Sequence, residues 1–370
     1  MSSPLQPVAP TSRSLTLDAL RGFALLGVLV VNLLQGYSVV ESPADHTAEL
    51  FVRALAEGTF YPIFSFLFGL GFALQLRKGE AALPLFRRRL SILLIIGLVH
   101  GVFVWYGDIL TLYALLGFLL PRFRDASARA LLKASLVGWG ISLLVLLLVS
   151  GSFPPEGLTD VETYANGSYL AITAVRASDF ALTLLSGLVG LGGQVLALFL
   201  LGLLVGRRGL ETAEQNRRWL AWTGLGSLAV ALPVSLWYFL GDREGWQYAV
   251  EYVVASPLLG FAYLAGFSLL MLEPLGRAIM TPFSYVGRMA LSNYLGQSVI
   301  CTLIFYGYGL GHYGELGAAT AFWIGLAIFT VQLGASHLWL KVFRYGPAEW
   351  VWRSLTYGKW QPLRYRVFEK

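Results

Sequence analysis

Long apolar runs alternate with short charged or turn-forming segments along almost the whole chain. A helix needs about 20 apolar residues to cross the roughly 30 Å hydrocarbon core of a bilayer. This pattern predicts an all-α, polytopic transmembrane helical bundle of about ten spans. The predicted spans cover residues 16–37, 57–76, 90–106, 109–120, 131–150, 183–205, 219–240, 248–272, 282–305 and 317–341. The fourth run is short, so it is either a tilted span or half of a helical hairpin.

Composition supports a membrane protein and excludes a single water-soluble core. Of the 370 residues, 56% are hydrophobic and only 13% are charged, and the mean hydropathy is +0.65. Soluble domains carry about 25% charged residues, which is what covers their surface. The single cysteine, Cys301, allows no intramolecular disulfide.

The distribution of charge predicts the orientation of the spans. With a cytoplasmic N-terminus, 24 of the 27 basic residues fall on the inner side and 13 of the 21 acidic residues on the outer side. This asymmetry is what the positive-inside rule describes, and it predicts that both termini lie on the cytoplasmic side of the membrane. The first run is not a cleaved signal peptide, because Asp18 and Arg21 interrupt it and no small-residue cleavage site follows.

Two segments outside the apolar runs are long enough to be interpreted separately. Residues 151–182 form the longest outer segment and contain a turn signal at Phe153–Pro155. The tail, residues 343–370, interleaves tryptophan with arginine and lysine, so we interpret it as an interfacial segment on membrane lipid rather than a nucleic-acid surface. The predicted domains are therefore a transmembrane domain, 1–342, and this basic tail, 343–370.

Ionisable residues within spans are costly, which makes them candidates for a functional site. Asp18 and Arg21 are three residues apart on the first span and can pair, and Asn32 lies three turns further out on roughly the same face. The alternative interpretation is that Arg21 extends to the inner surface and Asn32 bonds a neighbouring helix.

The third span carries the stronger signal, a histidine near mid-membrane. Asp108 follows His100 by eight residues, on nearly the same helical stripe. An imidazole titrates near neutral pH and suits proton transfer or activation of a nucleophile. A hydrogen bond between helices is the alternative role.

The ninth span begins with Arg288 and places Asn293 and Gln297 one turn apart. Such a polar stripe lines a site or holds two helices together, and spacing does not distinguish these roles. We found no sequence pattern of a metal site, a nucleotide-hydrolysing loop or a hydrolase elbow, and we predict no metal.

Several motifs, in this order, resemble those of YeiB-like bacterial membrane proteins, a family of unknown function. They are Leu17–Gly22 with Asn32, the segment around His100 with Gly107–Leu110, Gly287–Leu291 with Asn293 and Tyr294, and Gly346–Trp350. This family is similar in fold to the transmembrane acyltransferases, which take an acyl group from cytoplasmic acyl-coenzyme A to an acceptor across the membrane. Phe64–Gly69 resembles their second-span motif.

One position departs from a large branch of that superfamily. The branch has a histidine eleven residues after the arginine, where this sequence has Asn32. The glucosaminide acetyltransferase branch has an asparagine after the arginine and its working histidine elsewhere, and this sequence resembles it in that respect.

The resemblance implies a membrane-embedded acyltransferase with acyl-coenzyme A as co-substrate. The expected catalytic residues are His100, Asp108 and Asn32, and the expected donor-binding residues are Arg21, Asp18, Arg288, Asn293 and Gln297. The alternative is a transporter of a small solute, with His100 and Asp108 as a proton relay. Small-residue faces on several spans are compatible with a homodimer.

Overall fold

The computed structural model describes residues 14–77, 79, 82–149, 159–209, 216–240 and 245–365. Three of the basic residues counted above, Arg13, Lys78 and Arg243, lie outside these described residues. So do the turn signal at Phe153–Pro155 and the tail beyond Tyr365. The secondary structure of the described residues is helical apart from two isolated bridge pairs, Val39 with Gly317 and Phe343 with Arg364.

The N-terminal third contains three helices of 17 to 23 residues, one shorter amphipathic helix and one helix of eight residues. Its helices are α1 Leu15–Tyr37, α2 Pro43–Leu55, α3 Phe60–Leu76, α4 Ala82–Phe103 and α5 Leu110–Gly117. Ser42 and Asp45 cap α2 reciprocally, an amphipathic helix that the apolar pattern did not predict.

The middle third contains two long helices that each include a π turn. Its helices are α6 Ala128–Val149, α7 Val161–Asn166, α8 Tyr169–Ser186, α9 Gly192–Arg207, α10 Arg217–Leu240, α11 Gly245–Val250 and α12 Ser256–Leu270. The π turn Gly187–Leu191 joins α8 to α9, and the π turn Glu251–Ala255 joins α11 to α12. The predicted sixth span therefore began too late, because its helix starts at Tyr169.

The C-terminal third ends in a helix that packs back onto the bundle. Its helices are α13 Pro274–Arg288, α14 Ala290–Phe305, α15 Ala318–Val342 and α16 Pro347–Tyr357. The predicted ninth span, 282–305, is two helices, because the chain leaves helical geometry at Met289.

Seven stretches of the described chain are long and apolar enough to cross a membrane. They are Leu15–Tyr37, Pro43–Leu76, Ala128–Val149, Tyr169–Arg207, Arg217–Phe239, Gly245–Leu270 and Ala318–Val342. Helix α4 is also 22 residues long, but Arg87, Arg88 and Arg89 lie in its second turn. The chain is thus a multi-pass, all-helical membrane protein.

The predicted fourth span is half of a hairpin. Helix α5 has eight residues, about 12 Å of length, which is too short to cross the bilayer. It turns back against α4, and Pro121 follows in a 3₁₀ turn. The fourth run is therefore not a spanning helix of its own.

Glycines let the central helices approach closely. A Cβ on Gly22 would lie 1.9 Å from the Phe283 carbonyl oxygen, and one on Gly287 would lie 1.7 Å from that of Asp18. Helices α1 and α13 are therefore packed backbone to backbone. Gly69 and Gly202 allow the same approach between α3 and α9.

Candidate functional site

His100 and Asp108 form a direct, buried hydrogen bond. His100 lies in the last turn of α4, and the loop after Phe103 brings Asp108 back to it, so that His100 Nδ1 is 2.9 Å from Asp108 Oδ1. Thr111 donates its backbone N–H and its hydroxyl to Asp108 Oδ2, both at 2.8 Å. The prediction that His100 and Asp108 share one helical stripe was wrong, because α4 ends between them.

This chain of contacts determines what the imidazole can do. Because Thr111 donates two hydrogen bonds to the Asp108 carboxylate, that group acts as an acceptor. Nδ1 of His100 then carries the ring proton and donates a hydrogen bond to Oδ1. Nε2 then has the free lone pair. This atom is buried and has no hydrogen-bond partner among the described residues. Such a nitrogen can accept a proton from a nucleophile or attack a carbonyl carbon itself.

Two glycines of α4 make room for this arrangement. A Cβ on Gly97 would lie 2.5 Å from Thr111 Oγ1 and 2.9 Å from Asp108 Oδ2. One on Gly101 would lie 2.4 Å from the ring of Phe180. The small residues flanking His100 therefore allow the loop and α8 to pack against its helix.

Arg176 stabilises the end of the helix that carries His100, a role that the sequence did not reveal. Its side chain is fully buried, and the guanidinium donates to the carbonyls of Val102 and Val104 and to the Thr173 hydroxyl. These carbonyls lie at the C-terminus of α4, where the helix dipole favours a positive charge. Charge counting had placed Arg176 in an outer segment. The available signal was an arginine three residues after a threonine in a mostly apolar stretch.

A cavity of about 820 Å³ lies inside the bundle, within the size range of small-molecule and cofactor sites. Its lining extends from Ser14 to Gln35, the two ends of α1. The end near Ser14 is strongly basic. Among the residues that the structure describes, five arginines line the cavity: Arg21, Arg77, Arg89, Arg288 and Arg353.

The predicted pair on the first span is formed at this basic end. Arg21 Nη1 lies 2.8 Å from Asp18 Oδ1, and both residues line the cavity. Arg288 lines it at the end of α13 and donates to the Tyr365 hydroxyl. Asn32 lines it as well, three turns of α1 above Arg21.

The C-terminal segment closes part of the basic end. Helix α16 contributes Trp352, Arg353 and Tyr357 to the lining, and the Trp352 indole donates to the Arg89 carbonyl on α4. The guanidinium of Arg89 lies 4.2 Å from the centre of the Trp352 ring. Part of the predicted basic tail, between Glu349 and Tyr357, therefore forms a wall of the cavity.

Glu349 connects this segment to the break between α13 and α14. Its carboxylate accepts the backbone N–H groups of Leu291 and Ser292 and the Ser292 hydroxyl. It thereby satisfies N–H groups at the start of α14 that have no partner within that helix. Burial raises the pKa of Glu349 above its ordinary value, and the hydrogen bonds oppose part of that rise.

His100 lies one side chain away from the cavity. Tyr294 of α14 lines the cavity, and its ring centre is 5.1 Å from that of His100. The Tyr294 hydroxyl is buried and has no hydrogen-bond partner among the described residues. The structure therefore brings the arginines and Asn32 to one cavity and places the His100–Asp108 pair behind its Tyr294 wall.

Asn293 and Gln297 lie between helices rather than on the cavity wall. Asn293 Nδ2 donates to the Val286 and Met289 carbonyls and to the Ser336 hydroxyl. Gln297 Nε2 donates to Gln332 Oε1, 2.8 Å away on α15. Of the two roles that the sequence left open, this geometry is that of helix packing.

Comparison with known proteins shows relatives along the whole chain. The chain is 34% identical to the uncharacterized protein YxaH of Bacillus subtilis (strain 168), covering 98% of both chains. It is 33% identical to an uncharacterized 39.9 kDa protein in the amylase 3′ region of Bacillus acidopullulyticus, covering 97% of this chain and 98% of the relative. The uncharacterized protein YeiB of Escherichia coli (strain K12) is 29% identical, with 93% and 96% covered. The chain belongs to the YeiB-like family.

Two family descriptions match different parts of this YeiB-like protein. Residues 204–359 match the family described as protein of unknown function (DUF418). Residues 13–153 match the family described as heparan-alpha-glucosaminide N-acetyltransferase, catalytic. The second range contains Arg21, Asn32, His100 and Asp108, and thus the resemblance to membrane acyltransferases falls on the part of the chain that holds the buried histidine pair.

Proposed function

We propose that this YeiB-like protein is a membrane-embedded acyltransferase that uses acyl-coenzyme A as donor. The observation that carries the proposal is the His100–Asp108–Thr111 chain of hydrogen bonds beside an arginine-lined cavity, within the segment that matches an acetyltransferase catalytic family. A phosphate-bearing cofactor and a base next to one cavity are what acyl transfer from a thioester needs.

The basic end of the cavity is the donor entrance. Coenzyme A carries phosphate groups, and guanidinium groups bind phosphate through paired, charge-assisted hydrogen bonds. Arg21, Arg288 and Arg353 come from three different helices, so they can hold the phosphates while the thioester arm extends toward Tyr294. Asp18 keeps the Arg21 side chain oriented. Asn293 and Gln297 act one step away, by holding α14 and α15 together.

The transfer step uses the lone pair of His100 Nε2. Movement of the Tyr294 ring admits the thioester carbonyl and the acceptor to that nitrogen. His100 takes the proton from the acceptor O–H or N–H, the new C–O or C–N bond forms, and the C–S bond breaks. The proton then passes to the departing thiolate, which leaves as coenzyme A. Asp108 stabilises the imidazolium in between, and the Asn32 amide can donate to the developing oxyanion.

The orientation follows from the donor. Acyl-coenzyme A is cytoplasmic, so the arginine end of the cavity faces the cytoplasm, and both termini lie there in the inner membrane. The acceptor reaches the cavity from the opposite end, near Asn32 and Gln35. Because His100 lies between the two ends of the cavity, the donor and the acceptor can reach it from opposite faces of the membrane.

The test is release of the coenzyme A thiol by purified protein in lipid nanodiscs, with acetyl- and octanoyl-coenzyme A as donors and with water or a total bacterial lipid extract as acceptor. Loss of a positioned general base costs about 10²- to 10⁴-fold in rate, so we expect a fall in that range for His100→Ala and a substantial fall for Asp108→Asn. The matched control is His46→Ala, since His46 is exposed on α2.

Two outcomes would overturn the proposal. One is that coenzyme A does not bind; the other is that thiol release is the same in the His100→Ala variant and the unchanged protein. Because the cavity lining reaches both ends of α1, solute transport is the competing function. Flux of a labelled solute in proteoliposomes that depends on His100, without any thiol release, would establish it instead.

A further inference from the structure

The cavity has an apolar midsection between its basic end and Asn32. Val28 on α1 marks its position, since it lies seven residues beyond Arg21 and four before Asn32 on the same side of the helix. Valine, leucine and phenylalanine side chains from five of the described helices line the same cavity. They include Val28, Phe64, Phe68, Leu93, Leu112 and Val195.

Such a wall selects for a hydrocarbon ligand. Apolar surface gains free energy by leaving water, and the gain grows with the area that is buried. An acetyl group offers one methyl group to this wall. A chain of eight or more carbons would contact several of its side chains.

A second apolar cavity adjoins the first. It measures about 210 Å³ and lies among α1, α3, α9, α10 and α12. Leu17 and Leu67 line both cavities, so two leucine side chains stand between them. A second apolar space therefore lies on the far side of these two leucines.

We propose that the acyl group carried by the donor is a medium- or long-chain fatty acyl group, bound in this apolar midsection. The proposal rests on the proposed function, because it identifies the substrate class of the same donor site. Arg21, Arg288 and Arg353 bind the phosphates of the coenzyme A part, and the valine, leucine and phenylalanine wall binds the chain.

The test measures binding of coenzyme A and of its acetyl, butyryl, hexanoyl and octanoyl thioesters to the full-length protein in nanodiscs, with empty nanodiscs subtracted. Burial of a methylene group is worth up to about fourfold in affinity. We expect affinity to rise at each step and octanoyl-coenzyme A to bind at least about 50-fold more tightly than acetyl-coenzyme A. Equal affinity across the series, or tightest binding of the acetyl thioester, would overturn the inference.

A matched pair of variants locates the chain. Val28→Thr keeps the shape of the side chain but places a hydroxyl in the apolar wall, and a hydroxyl buried against hydrocarbon without a partner is unfavourable. We expect the ratio of octanoyl to acetyl affinity to fall about fivefold or more in Val28→Thr, with coenzyme A binding unchanged. Val331→Thr is the control, because Val331 is 70% exposed on α15. The same ratio in both variants and in the unchanged protein would contradict a chain bound against Val28.

The two proposals fail in different ways. If coenzyme A itself does not bind, the proposed donor site is wrong. If coenzyme A binds and His100-dependent thiol release occurs, but affinity does not depend on chain length, the acyltransferase proposal stands and the fatty acyl inference is wrong.

Discussion

At the scale of single residues, the site depends on side chains that form hydrogen bonds with otherwise unpaired buried donors and acceptors. Asp108 takes two donors from Thr111 and one from His100. Arg176 donates hydrogen bonds to carbonyl groups at the end of α4. Glu349 accepts hydrogen bonds from backbone N–H groups at the start of α14. Buried polar groups without partners are expensive, so these three residues make it possible for helices to end inside the protein beside the cavity.

Arg176→Met tests this role. The change leaves the Val102 and Val104 carbonyls without the donors that they have now, and an unsatisfied buried group costs roughly 1–3 kcal/mol. We expect a lower melting temperature in detergent and a reduced rate of thiol release, since the turn that holds His100 loosens. Arg176→Lys, which keeps the charge, should recover part of both losses.

A purely structural role for Arg176 would give a different result. The variant would then lose stability, but the rate per folded molecule and its pH profile would remain those of the unchanged protein. Arg129, exposed at the start of α6, provides the matched control as Arg129→Met.

At the scale of helices, the side chains on the cavity-facing side of α3 determine which ligands fit in the cavity. Residues spaced three or four apart along α3 line the cavity, including Phe64, Phe68, Gly71 and Gln75. A Cβ at Gly71 would have no neighbouring heavy atom within 4 Å. This glycine therefore leaves open space in the cavity wall.

Gly71→Leu should obstruct the donor path without disturbing the helix. Leucine has a higher helix propensity than glycine by roughly 0.8 kcal/mol, so we expect unchanged or improved stability together with at least about tenfold weaker binding of coenzyme A. Isothermal titration in nanodiscs measures the affinity. Gly266→Leu is the control, because Gly266 is exposed on α12 and also has nothing within 4 Å; equal affinities for both variants would place the donor elsewhere.

At the scale of the whole molecule, the charge asymmetry of the sequence and the basic end of the cavity make the same prediction about orientation. The arginines that line the cavity lie at the end of the bundle that holds the start of α1 and all of α16. Both the positive-inside rule and the proposed cytoplasmic donor predict that this basic end faces the cytoplasm.

Labelling of single cysteines tests the orientation. Cys301 is buried, so the background reaction with a membrane-impermeant maleimide should be low. We expect Thr47→Cys, exposed on α2, to be labelled in spheroplasts with an intact inner membrane, and Lys359→Cys, exposed after α16, to be labelled only after permeabilisation. The reverse pattern would place the arginine end of the cavity outside the cytoplasm and contradict the donor route.

Much of the fold follows from apolar run length, but three features do not. The runs identify a helical membrane protein, because backbone groups in a bilayer must bond within helices. They do not show that the ninth run breaks at Met289 or that the fourth is half of a hairpin, since both depend on contacts with distant segments. Nor do they show that α8 begins before the sixth run.

The sequence by itself determined the class of protein, its charge asymmetry and the identity of its unusual intramembrane residues, because composition, run length and isolated polar positions are local properties. Tertiary structure alone decided which of those residues meet. It joined Asp108 directly to His100, placed Asn32 and Arg21 on one cavity, put Tyr294 between that cavity and the imidazole, and committed Asn293 and Gln297 to helix packing. Contacts between segments far apart in the chain depend on how the helices turn and pack. The spacing of residues along one helix does not predict these contacts.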